Sequence, residues 1–161
     1  MFYSCSPSRA SPARLAHRST ARRVRGLTVD IHCHVICKKA EALVAPHFSP
    51  EKEPSLHYAA PLSREINRKM MVDIDAQITQ AERRIVDMDR MGVDIQAIST
   101  GPPQFYYWTQ PELGRETSRI VNDNLADIVA RHSNRFVAMG TVPLQHTEFA
   151  VAEMRRCVNS L

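Results

Sequence analysis

An α/β fold built on a parallel sheet is what this sequence predicts, and three observations carry the prediction. Apolar runs of strand length alternate with stretches whose apolar residues recur every three or four positions. Their order along the chain is strand, helix, strand, helix, strand, helix, which favours parallel pairing through right-handed crossovers. The first strand leads into His32-Cys33-His34, and residues two apart in a strand leave the same face. Two imidazoles about 6–7 Å apart at their Cα atoms can converge on one ion.

Each element has its own signal. Leu27-Thr28-Val29-Asp30-Ile31 is a short apolar run of strand type. From Lys38 to Val72 the chain is polar and holds Pro46, Pro50, Pro54 and Pro61, so it is expected to be a long connection of the kind that serves as a lid or insertion. Ile78, Ala81, Ile85, Met88 and Met91 then mark one amphipathic helix over Asp75 to Met91, closed by Gly92. Val93 to Ser99 reads as the second strand. A loop with two prolines behind Gly101 follows and carries Phe105, Tyr106, Tyr107 and Trp108. Leu113, Thr117, Ile120, Val121, Leu125, Ile128 and Val129 define a second helix with Pro111 near its start. Arg135 to Val142 is the third strand, and a third helix runs to Leu161 with Thr147 as its expected N-cap.

Three βα units occupy residues 27–161, whereas a closed barrel needs eight and about 250 residues. A small open sheet and the N-terminal part of a (β/α)8 TIM-type barrel both satisfy the pattern; the barrel is the expectation carried forward. The net charge of +4 belongs to the first 26 residues, which hold six arginines and no acid. The remainder has 15 basic against 17 acidic residues, so it offers no electrostatic argument for nucleic acid. That tail is expected to be disordered, with the composition of a mitochondrial transit peptide as the alternative. No apolar run is long enough to span a membrane. Cys5, Cys33, Cys37 and Cys157 show no disulfide spacing, which suits a reducing compartment such as the cytoplasm. Cys33-x3-Cys37 is not a standard zinc spacing, and Cys33 should point away from the histidines toward packed helices.

Asp30-Ile31-His32-Cys33-His34, the block from Arg84 to Gln96 and the block from Arg135 to Gln145 together resemble the amidohydrolase-related metal-dependent family. The nearest likeness is to its aminocarboxymuconate-semialdehyde decarboxylase-like subgroup, over about residues 27–161. The resemblance implies a (β/α)8 barrel with one divalent metal, usually zinc, at the C-terminal ends of its strands, and it makes His32 and His34 metal ligands. It also implies further ligands, a histidine from a middle strand and an aspartate from the last, for which this sequence has no matching positions. Two ligands alone do not complete a zinc site.

The activity implied is a metal-dependent carboxy-lyase reaction, decarboxylation of an unsaturated or aromatic carboxylic acid. Hydrolysis of an amide or lactone is the alternative among enzymes, and a truncated, inactive fragment with an unpaired edge on its third strand is the alternative outside them. Asp30 shares the parity of His32 and His34 and is expected to orient a ligand histidine. Arg84 matches an arginine of the subgroup; on a helix it is by default a solvated charge, with contact to the substrate carboxylate as its functional role. Phe105, Tyr106, Tyr107 and Trp108, on the mouth side of the second strand, are expected to wall the substrate pocket, Phe105 and Trp108 foremost, with ordinary loop packing or an interface as the alternative. His47, His57, His132 and His146 are read as exposed or capping histidines. The partner expected is a small-molecule carboxylic acid, with a homodimer left open and neither nucleic acid nor membrane involved.

Overall fold

The three apolar runs pair as a parallel sheet in the order β1-β2-β3: β1 (Val29–Val35), β2 (Ile95–Thr100) and β3 (Phe136–Met139). The computed structural model describes residues 26–161, so the basic tail expected over 1–26 lies outside the described residues apart from Gly26. β1 extends through the His32-Cys33-His34 triplet, which therefore sits inside the strand near its C-terminal end. β2 is central, and each outer strand leaves one edge unpaired among the described residues.

The stretch expected as a loop is largely helical. It contains α1 (Lys38–Val44), a 3-10 turn over Ala45–His47, α2 (Pro54–His57) and α3 (Pro61–Asp73). Pro54 and Pro61 each open a helix, where a missing N–H is no loss. The helix expected over Asp75 to Met91 is two: α4 (Asp75–Thr79) and α5 (Ala81–Met91). They are separated by Gln80 in extended conformation (φ −117°, ψ 117°). Gly92 closes α5 with φ 74° and ψ 32°, a left-handed position that suits glycine. The Val93 N–H then bonds the Met88 carbonyl at 2.9 Å.

α6 (Pro111–Arg131) makes the crossover from β2 to β3, and α7 (Thr147–Ser160) follows β3. Thr147 opens α7 as its first residue; the capping position is His146, whose side chain makes no cap bond. The helices cover one face of the sheet, α6 packing on α1, α7 and β3. Met88, Ile98, Leu125, Cys33 and Phe136 form the centre of this layer. α6 and α7 are also tied by a polar knot. The Asn122 amide donates to the Thr141 carbonyl (2.8 Å) and to Glu153 (2.7 Å), and the Thr141 N–H donates back to Asn122 Oδ1 (2.8 Å). Arg156 donates to both Glu153 oxygens and to Asp123.

The other face is uncovered among the described residues. Ile31 is 75% exposed, and Val137 and Met139 are about half exposed. None of the described helices is long and apolar enough to cross a membrane.

Candidate metal and substrate site

A β-bulge shapes the site. Asp30 pairs with Gln96 and Cys33 with Ile98, so Ile31 and His32 together oppose the single residue Ala97. Beyond the bulge, His34 lies beside Ser99. His32 Nε2 and His34 Nε2 stand 3.1 Å apart, with the rings edge to face. Two nitrogens bound to one tetrahedral ion at 2.0–2.1 Å would be about 3.3 Å apart. The pair therefore has the spacing of two ligands on one ion without any rearrangement of the backbone.

His34 is further prepared. Its Nδ1 meets Ser99 Oγ at 3.2 Å. With Nδ1–H as donor, the Nε2 lone pair is left for a cation. Burial lowers the pKa of His34 first, the neighbouring His32 adds to this, a ring N–H bond to the Thr100 main chain opposes it, and the Arg84 charge lowers it again. The neutral ring is the form that ligates a metal.

The bulge also corrects the expectation for Asp30. Side-by-side residues in a sheet share a face, so the extra residue moves Asp30 to the helix-facing side with Gln96, away from the imidazoles. Its carboxylate accepts from the His32 main-chain N–H (3.2 Å) and from Gln96 Nε2 (3.2 Å). Arg84 is likewise no solvated charge: it is 8% exposed, and its guanidinium donates to the His34 carbonyl and to Gln96 Oε1.

A cavity of about 480 Å³ opens beside His34 at the C-terminal ends of β1 and β2. Phe48, Met71 and Ile74 supply apolar wall, and Arg64 and Arg68 project from α3 into its lining. Arg64 is engaged by the His57 and Ala59 carbonyls; Arg68 forms no ion pair with any described residue. Glu53, also at the cavity, caps α2 through Ser55. Phe105 and Trp108 do not line this cavity. Phe105 stacks on Tyr107 (centroids 5.4 Å apart), and Trp108 packs on the core against Phe48 and Tyr106. The aromatic that reaches the cavity from this loop is Tyr106. It is held at φ 49°, a left-handed position uncommon for a non-glycine residue, and burial raises its pKa, so its hydroxyl keeps its proton.

Gln104 fixes this loop to the end of β1. Its amide accepts from the Cys37 N–H (2.8 Å) and donates to the Cys37 carbonyl (3.0 Å), while Thr100 donates to the same amide oxygen. All of these groups are buried. Gln104→Ala is expected to destabilise the fold by about 1–3 kcal/mol, because it strands the buried Cys37 N–H, while the Cys37 carbonyl keeps its bond from the Glu41 N–H; urea unfolding measures it.

Gln104, Ser99, Gln96 and the α3 arginines were not marked by motif, whereas Tyr106 belongs to the aromatic run expected at the pocket. The i, i+4 spacing of Arg64 and Arg68, alongside Leu62, Ile66 and Met70, is the signal that could have revealed α3. His47 and His57 are exposed; His132 meets Glu82 (3.3 Å), and His146 Nε2 is buried with no hydrogen-bond partner among the described residues. Cys33 is fully buried on the helix side. Among the described residues no group of three or more His, Cys, Asp or Glu side chains is placed to hold a metal; the histidine pair offers two nitrogens, fewer than a zinc site takes.

No protein-family model matches the chain. It is 30% identical over 138 residues to 2-amino-3-carboxymuconate-6-semialdehyde decarboxylase of Dictyostelium discoideum, covering 85% of this chain and 38% of that protein. Among solved structures it superposes on 5-carboxyvanillate decarboxylase from Sphingomonas paucimobilis with a TM-score of 0.66 at 22% identity, over 83% of this chain and 40% of the other. It also superposes on a dihydroxybenzoic acid decarboxylase from Polaromonas sp. JS666, which carries bound manganese and the inhibitor 2-nitroresorcinol. There the TM-score is 0.63 at 21% identity, over 84% of this chain and 36% of the other. The chain thus spans less than half the length of the relatives it matches. The parallel βα order agrees with these matches, and the chain is a relative, along 85% of its length, of part of 2-amino-3-carboxymuconate-6-semialdehyde decarboxylase.

Proposed function

We propose that this chain contributes to metal-dependent decarboxylation of an unsaturated or aromatic carboxylic acid, on a sheet that forms a segment of a (β/α)8 barrel. The observation that carries the reading is the opposed pair of Nε2 atoms 3.1 Å apart at the mouth of an apolar cavity. His32 and His34 would hold a divalent ion, zinc or manganese, with its other ligands drawn from water, substrate or residues outside 26–161. Such an ion supplies Lewis acidity, polarising a substrate oxygen and lowering the pKa of bound water.

The rest falls to the chain's own side chains. Arg68, without an ion-pair partner among the described residues, is the cation suited to a substrate carboxylate. Phe48, Met71 and Ile74 remove water from the acid, which favours loss of the charged group as neutral CO2. Tyr106, protonated, offers a hydrogen bond from the loop after β2. Asp30 acts on the ligand pair through the His32 main chain. Of the loop aromatics expected at the substrate, Tyr106 keeps that role, joined by Phe48 in place of Phe105 and Trp108, and the role expected of Arg84 passes to Arg68.

The test loads the chain with Mn²⁺ and follows the electron paramagnetic resonance signal of the ion on adding 2,6-dihydroxybenzoate or 5-carboxyvanillate, with CO2 release as the second readout. An acid-dependent change in the bound-ion spectrum, lost in His34→Ala, is the expected result. Mn²⁺ binding that is indifferent to both histidines would overturn the reading.

A further inference from the structure

We infer that Arg84, Gln96 and Asp30 form a positioning relay that sets the spacing of His32 and His34 from behind the sheet, by gripping the main chain of both residues. This rests on the metal reading above. The relay runs through three elements: Arg84 on α5 donates to Gln96 Oε1 on β2 (3.2 Å), and Gln96 Nε2 donates to Asp30 Oδ2 on β1 (3.2 Å). Each end then closes on a histidine. The Arg84 guanidinium donates to the His34 carbonyl, and Asp30 Oδ1 accepts from the His32 N–H (3.2 Å).

The bulge explains why such a device is needed. Where two residues oppose one, the ladder is interrupted and main-chain groups lose their regular partners. From the bulge onward His32 and His34, two apart in the strand, leave one face with their ring tips in contact. A bulge held only by the ladder could slip by a residue, which would turn one imidazole to the other face. Here side chains also bond the main chain of both histidines, at the bulge itself for His32 and just past it for His34.

The placement is otherwise hard to account for. Gln96 is 1% exposed and Arg84 8% exposed, in a helix–sheet layer whose other members include Ile98, Ile128 and Phe136. A buried guanidinium is disfavoured unless each of its donors finds an acceptor, and an aliphatic residue of similar size is often no worse for stability. What an aliphatic residue cannot do is hold the His34 carbonyl.

The experiment uses the full chain, with Mn²⁺ as the probe and the paramagnetic resonance of the free ion as the readout. Arg84→Met and Gln96→Leu are expected to weaken Mn²⁺ binding about tenfold or more, and Arg84→Lys, which keeps a charge and a donor, to fall between these and the parent. Ile128→Val, a shortened side chain in the same layer, should leave affinity within about twofold. In the metal-free protein the imidazole ¹⁵N shifts of His32 and His34 should move in Gln96→Leu and stay in Ile128→Val. If His34→Ala abolishes binding while Arg84→Met and Gln96→Leu, both folded, bind as the parent does, the relay is overturned and the metal reading stands. If His34→Ala binds as the parent does, the metal reading fails and the relay with it. Should Arg84→Met not fold, Gln96→Leu decides by the same criterion.

Discussion

His34→Ala is expected to lower the affinity of this chain for Mn²⁺ by about a hundredfold, which corresponds to about 2.7 kcal/mol, and His32→Ala is expected to lower it by less. The asymmetry follows from how each ring is held. His34 is half-buried, its Nδ1 is engaged by Ser99, and its main-chain carbonyl is gripped by Arg84. Its Nε2 is therefore aimed before any ion arrives, and little rotamer freedom is lost on binding. His32 is exposed and must give up more side-chain entropy to ligate. Ser99→Ala should fall between the parent and His34→Ala, at about tenfold, because it frees the ring without removing it. Titration with Mn²⁺ at fixed pH measures all three. A larger loss in His32→Ala than in His34→Ala would show that the buried ring is not the principal anchor.

The parallel order of the sheet and the histidine pair were legible in the sequence for separate reasons. Strand and helix periods differ, so the βαβ alternation can be read without tertiary information. An H-x-H triplet in a strand places both rings on one face by geometry alone. The face of Asp30 was not legible. Its assignment assumed unbroken alternation, and one extra residue at Ile31-His32 reverses parity for everything before it. Nothing in the types of residues 29–35 announces that bulge; it depends on how β1 registers against β2.

The helices between Lys38 and Asp73 were missed for a different reason. Prolines were read as breaks, whereas Pro54 and Pro61 start helices. α3 buries no residue fully and exposes Leu62, Ile66 and Val72, so its period was weak against a polar background. Arg68 and the cavity wall were lost with it. Arg84 was misread because an arginine on a helix is usually solvated. Only the tertiary structure shows that its guanidinium ends against a strand carbonyl.

The largest stability effect is expected at Asn122, far from the histidines. Asn122 is 2% exposed and its amide satisfies both main-chain groups of Thr141 together with one oxygen of Glu153. Asn122→Ala removes three bonds at once and leaves a buried carboxylate, a buried N–H and a buried carbonyl short of partners, for a loss of about 3–5 kcal/mol. Urea unfolding of the parent and the variant gives the number, and a loss under about 1 kcal/mol would mean that water replaces the amide without strain. Acid should expose the same knot. Burial raises the pKa of Glu153, but bonds from Arg156 and Asn122 outweigh it and leave the folded-state value below that of a free carboxylate. A group depressed on folding stabilises the native state above its unfolded pKa, about 4.3 for glutamate, and that contribution is lost as the pH falls through the lower folded value. The parent should therefore lose stability steadily below about pH 5. Glu153→Gln should start less stable at pH 7, since Arg156 loses its charged acceptor, and decline less on acidification. Parallel pH profiles for the two proteins would show that the Glu153 charge does not hold α7 to α6.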